Sequence, residues 1–221
     1  MTAREGITRV FIARRRPDLS IAQFQQYWRN EHATITLTFP HVRRYVQNHA
    51  VVRDGTLVLP SPGFDVFSEL DFDSADAMDA SWSSPEYFQG EQDENNFIDP
   101  RWSTVLVGTR HRFGDAAPPR FRLVWLCSIE AADEPPIERI AGALLDVGQA
   151  SSVAAVVATR ALLARYPPQD YGAILWLGFD DLTQLGGRLR SLLDVVVSDL
   201  GRNEHDAVTV VEPNIVIGSE A

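Results

Sequence analysis

The chain has 221 residues, 45% of them hydrophobic, with 20 Lys and Arg against 30 Asp and Glu and a formal net charge of −10. That hydrophobic share excludes a mainly disordered protein, and the acidic balance without an extended basic stripe excludes a nucleic-acid backbone as partner. A single cysteine, Cys127, excludes both an intrachain disulfide and a site built from two thiolates of one chain.

The opening residues lack the apolar stretch of a signal peptide, and no uncharged apolar run is long enough to cross a bilayer. A cytoplasmic protein with no membrane partner is the expectation. Arg9 to Ala13, β-branched at Val10 and Ile12 and followed by Pro17, reads as a first strand. Ser20 stands three residues before Gln23 in a capping-box pattern, and Phe24, Tyr27, Trp28 and Ile35 fall at helical spacing, which predicts a helix from Ser20 to about Ile35. Val42 to Val51 then reads as a strand with Val42, Val46 and Ala50 on one side and Arg43, Tyr45, Gln47 and His49 on the other. Phe64 to Phe72 alternates apolar residues with Asp65, Glu69 and Asp71 as a third strand. Ser74 caps a helix through Met78 and Trp82, a second helical piece begins near Pro85, and Thr104 to Thr109 closes as a fourth strand.

Residues 114–119 are small and proline-rich, as a linker would be, and the same element order follows them. Arg122 to Ile129 reads as a strand, Pro135 to Val147 as a helix, Ser152 to Thr159 and Tyr171 to Phe179 as strands, Leu182 to Leu200 as a long helix and Ala207 to Ile217 as a last strand. Two domains are expected, residues 1–113 and 120–221, each β-α-β-β-α-β. The predicted fold class is α+β: two tandem ferredoxin-like halves packing sheet to sheet as an intrachain α+β barrel, because a four-stranded sheet with helices on one face must bury its other face. Such a chain serves as a monomer, or as a homodimer through its long helices.

Phe24, Trp28 and His32 recur at i, i+4 and share the inward stripe of the first helix. Spacing alone fits a core histidine bonded to a backbone carbonyl as well as a functional one. Tyr45, Gln47 and His49 project from one side of the neighbouring strand, an arrangement costly in a dry core and sensible beside a ligand or water. Glu69 on the next strand reads either as a carboxylate that orients or deprotonates an imidazole or as a solvated one. The segment Gly90 to Asp99, with Glu91, Asp93, Glu94 and Asp99, lacks the order of a calcium loop and reads as a solvated acidic turn. Phosphate loops, dinucleotide fingerprints, nucleophile elbows and zinc-protease helices are absent from the sequence, and nothing in the spacing of His32, His49 and Glu69 calls for a metal.

Three stretches carry a family resemblance: Arg15-Arg16-Pro17-Asp18-Leu19-Ser20, then Phe24 through Ala33 with Tyr27-Trp28 and Glu31-His32, then Arg44-Tyr45-Val46-Gln47-Asn48-His49. Glu69, the Ser84-Pro85-Glu86-Tyr87 turn, and Asp93 through Phe97 with Asp99 fit the same pattern. Residues 7 to 112 resemble the EthD family of the dimeric α+β barrel superfamily. The resemblance implies a ligand pocket between helices and sheet, with His32 as proton shuttle and Tyr45 donating to a carbonyl or enolate oxygen. Phe24 and Trp28 would form its apolar wall, with Gln47, His49 and Glu69 in support. The expected ligand is a small, apolar carbonyl, phenolic or lactone compound, handled without a cofactor by isomerisation, cyclisation or oxidation. A non-catalytic binding or stress-related protein, or a haem protein with a histidine ligand, are the alternatives. The second half lacks the tyrosine-tryptophan helix and its histidine, so it is expected to be the structural mate that relatives obtain from a second chain.

Overall fold

The computed structural model describes residues 6–59, 63–114, 119–127, 137–146, 151–166, 170–183 and 207–217. Two compact units divide the chain. The first comprises Met1–His49, Gly63–Val105 and Asn214–Ser219, and the second Ala50–Pro62, Leu106–Pro213 and Glu220–Ala221. Each unit thus includes short segments from the other half of the sequence.

In the first unit, β1 (Ile7–Arg15), β2 (Arg44–Ala50) and β5 (Val66–Phe72) form antiparallel pairs with β5 in the centre. The short strands β3 (Val52–Arg53) and β4 (Thr56–Leu57) pair with each other in the second unit, across a turn where Asp54 and Gly55 take positive φ. Register sets which side chains meet. Arg9 lies opposite Leu70, Phe11 opposite Ser68, Tyr45 opposite Leu70, Gln47 opposite Ser68 and His49 opposite Val66. With side chains alternating along a strand, those residues share one face, and Val10, Arg44, Asn48, Glu69 and Asp71 share the other.

The expected capping box is present: the Gln23 amide donates to Ser20 Oγ at 3.2 Å, and the Ser20 amide donates back to Gln23 Oε1 at 3.0 Å. The helix that follows is α1 (Ile21–Tyr27), then a π-helical turn over Trp28–His32, then α2 (Ala33–Thr36). Ser74 caps α3 (Ala75–Trp82), and Ser84 with Pro85 opens α4 (Pro85–Glu94). Phe11, Ala13, Phe24, Trp28, Val66, Phe97 and Ile98 form a buried cluster between helix and sheet.

The predicted strand from Thr104 to Thr109 is in fact β6, Ile98–Gly114. It runs on past the apolar stretch because Arg110, His111 and Arg112 pair with Val156, Ala155 and Ala154 of β8 (Ser152–Val157), and ladder pairing overrides side-chain pattern. In the second unit the strand order is β10 (Ala207–Ile217), β7 (Phe121–Cys127), β9 (Ala173–Phe179), β8 and β6, each neighbouring pair antiparallel. α5 (Ile137–Asp146) lays Ile137, Ile140, Ala141 and Leu144 on Leu123, Trp125, Leu175 and Leu177. A short α6 (Arg160–Arg165), capped by Thr159, joins β8 to β9. The predicted helix from Leu182 to Leu200 lies, beyond Thr183, outside the described residues, as does most of the 114–119 linker.

Candidate active site

A side chain every fourth residue drifts around an α-helix of ~3.6 residues per turn. The wider π turn takes up that drift, so that Phe24, Trp28, His32 and Thr36 all come to lie inward, each at most 7% exposed. The π turn also frees a carbonyl: Gln47 Nε2 donates to Trp28 O at 2.6 Å from the neighbouring strand. No periodicity in the sequence announces that turn, because its partner comes from β2.

His32 does not bond a backbone carbonyl through its ring. Its Nδ1 is 2.9 Å from Asp93 Oδ2 in the last turn of α4. Asp93 Oδ1 accepts from Tyr27 Oη at 2.6 Å and from Asn96 Nδ2 at 2.9 Å. Burial works to raise the Asp93 pKa, but the hydrogen bonds from Tyr27, His32 and Asn96 outweigh it and hold the carboxyl below its usual range. An ionised carboxylate only accepts, so the neutral His32 ring carries its proton on Nδ1 and leaves Nε2 as the basic nitrogen. Burial holds the His32 pKa below its ordinary 6.5, with Asp93 countering in part. The imidazole is therefore neutral at pH 7. Asp93→Asn removes the countering charge, and the expected result is a His32 pKa lower still in an NMR titration; an unchanged or raised value contradicts the contact.

His32 lines a cavity of about 20 Å³ with Arg9, Phe11, Trp28, Tyr87, Glu94 and Phe97, room for about one ordered water. Gly90 permits the packing on the α4 side, since a Cβ there would lie 2.4 Å from the Phe39 ring. Arg9 is 5% exposed and donates to Tyr87 Oη at 3.3 Å. Burial pushes the Glu94 carboxyl up to about 7, against the pull of Arg9. The solvated acidic turn predicted for Gly90 to Asp99 thus needs correcting: Asp93 and Glu94 end a helix and face inward, while Asp99 pairs with Arg101 at 2.7 Å. Tyr87, Gly90 and Glu94 follow one another at i, i+3 and i+7, a stripe the sequence does display. Arg9 carries no such signal, standing next to Thr8 just ahead of the apolar run Val10–Ala13.

Tyr45, Gln47 and His49 do project toward the helix, as the strand alternation implies. Tyr45 is buried and its Oη accepts from Gln47 Nε2 at 2.8 Å. Burial raises its pKa to about 12. His49 packs against Trp28 at a tilt of 45° with ring centroids 4.5 Å apart, and its Nε2 lies 3.1 Å from Gln47 Oε1, which also accepts from Asn214 at 3.2 Å. These three residues fix the helix to the strand and do not line the cavity. Phe24 stands behind Trp28, 5.7 Å between ring centroids. Glu69 is on the opposite face of the sheet from His32, where it accepts from Arg44 at 3.1 Å and Asn48 at 2.7 Å. The carboxylate that meets the His32 ring is Asp93.

Among the described residues, no group of three or more His, Cys, Asp or Glu is placed to hold a metal, and no helix is long and apolar enough to cross a membrane. The His32 ring is held between Asp93 and Phe97, 4.7 Å from the latter by centroids.

Residues 16–101 match the EthD domain. No curated protein matches the chain. Solved structures do. An anthrone oxidase-like protein superposes with a TM-score of 0.58 at 6% identity, over 98% of this chain and 95% of its own. A monooxygenase-like protein from Lactobacillus acidophilus NCFM gives 0.56 at 8% identity, over 98% and 97%. A mutant chlorite dismutase from Candidatus Nitrospira defluvii, in complex with cyanide, gives 0.53 at 11% identity, over 96% and 92%. Identities this low show the fold alone: mixed α+β, sheet-dominated and of the α+β barrel class.

Proposed function

Because residues 16–101 match the EthD domain, we propose that this chain binds a small carbonyl, phenolic or lactone compound beside His32, in a pocket whose side chains move apart from the room for one water as the compound enters, and moves a proton on it without a cofactor. The supporting observation is the 2.9 Å contact between Asp93 and His32 Nδ1 at the wall of a cavity. It leaves a neutral imidazole with a fixed tautomer, the form a general base needs.

His32 Nε2 removes a proton from a carbon next to the carbonyl. The electron pair of that C–H bond moves into the adjacent C–C bond, and the carbonyl oxygen takes up the negative charge. Arg9 lines the same cavity and stabilises that oxygen. Glu94, poised near neutrality by burial, supplies a proton to a second carbon of the conjugated system, and the imidazolium proton returns through water to the Glu94 carboxylate. The net change is an isomerisation. Trp28 forms the apolar wall with Phe24 behind it; Tyr45, Gln47 and His49 hold the helix that carries His32. The scheme calls for neither nucleic acid nor membrane.

Deuterium exchange tests the proposal. Anthrone, chosen because one fold neighbour is anthrone oxidase-like, and an unsaturated γ-lactone are incubated with the protein in deuterated buffer without oxygen. Loss of their acidic C–H signals is followed by proton NMR. Exchange faster than in buffer alone supports proton transfer. A compound that raises the thermal midpoint yet exchanges at the buffer rate makes this a binding protein only.

A further inference from the structure

Stabilising a transient enolate oxygen leaves Arg9 without a partner anion while a neutral ligand is bound in its ground state. Its guanidinium presents five donors, yet among the described residues it makes a single hydrogen bond, to Tyr87 Oη at 3.3 Å, and its buried Nε has no partner. None of the described carboxylates forms an ion pair with it, although Glu94 lines the same cavity. Aromatic rings surround it instead: Phe11 at 5.0 Å, Trp82 at 5.6 Å and Tyr87 at 5.8 Å from Cζ to centroid. Ring faces offset part of the cost of burying a cation, but a buried charge without a counter-ion destabilises a fold. Leu70, its neighbour across the β1–β5 ladder, offers no compensation.

An arginine fork matches a carboxylate with two parallel hydrogen bonds. We propose that Arg9 anchors a carboxylate carried by the ligand, so that the substrate class is a small aromatic acid rather than a neutral carbonyl compound. The aromatic part follows from the lining, where Phe11, Trp28 and Phe97 border the same cavity as Arg9. This deepens the reading of the His32 pocket and rests on it: the acid group orients the ligand at Arg9, and the carbon that loses a proton lies toward His32.

Benzoate and methyl benzoate serve as probes, titrated into the wild type and Arg9→Met with tryptophan fluorescence as the signal. The wild type is expected to bind benzoate at least about tenfold more tightly than the ester, and Arg9→Met to lose that preference. The thermal midpoint of Arg9→Met should stay level or rise by about 2–4 °C, because an uncompensated buried charge has gone. Arg9→Lys, which keeps the charge without the fork, should retain a reduced preference. An ester that binds the wild type as tightly as benzoate overturns the inference and leaves the pocket standing. A preference that survives Arg9→Met, or a midpoint that falls in it, overturns the inference too and makes Arg9 structural. If neither compound binds, the pocket reading falls together with the inference.

Discussion

His32→Gln slows exchange of an active compound by about 10²–10⁴-fold while the thermal midpoint moves little. The range is what a positioned general base contributes. Gln fills a similar volume, and its amide can still donate to Asp93, so the buried carboxylate keeps its partner. What it lacks is a basic nitrogen. A histidine that served packing alone would show the reverse: a lowered midpoint and exchange unchanged per folded molecule. Measuring rate and midpoint on the same preparation separates the two.

His49→Phe gains about 4 kcal/mol on the wild type between pH 7 and pH 3. His49 is 2% exposed, and burial, reinforced by the charge of Arg29, lowers its pKa from 6.5 to about 3. In the unfolded chain the imidazole takes a proton as the pH falls below 6.5, but the folded protein admits none until about 3. The contribution of His49 to stability is therefore complete above 6.5 and is lost progressively down to 3. Phenylalanine keeps a ring against Trp28 and cannot titrate. Glu94 acts with the opposite sign, since a carboxyl raised to about 7 stabilises below its unfolded value and loses that effect as the pH rises through 7. It is present in both proteins and cancels from the difference. Chemical denaturation of both proteins across this pH range gives the comparison, and parallel stability curves would show that His49 titrates normally.

Much of the fold was legible because local signals agreed with it. Ser20 and Gln23 marked the helix start, strand alternation put Tyr45, Gln47 and His49 on one face, and Ser84-Pro85 marked α4. The same alternation separates Glu69 from Val66 and Leu70, but both faces of β5 are buried, so polarity alone did not tell which one the helix covers. Asp93 and Glu94 were hidden by composition: a run with four acidic residues looks solvated until Tyr27, Asn96 and His32 supply three donors to one of them. The π turn and the internal placement of Arg9 depend on contacts with distant segments, Gln47 for the first and Tyr87 for the second. Sequence spacing carries no trace of either.

The central claim is a neutral His32 with its proton on Nδ1 and a bare Nε2 at the cavity. Long-range ¹H–¹⁵N NMR of the imidazole reads tautomer and titration together. The account predicts the Nδ1–H tautomer at pH 7 and a pKa below 6.5. An Nε2–H tautomer, or a ring still protonated at pH 7, would contradict it.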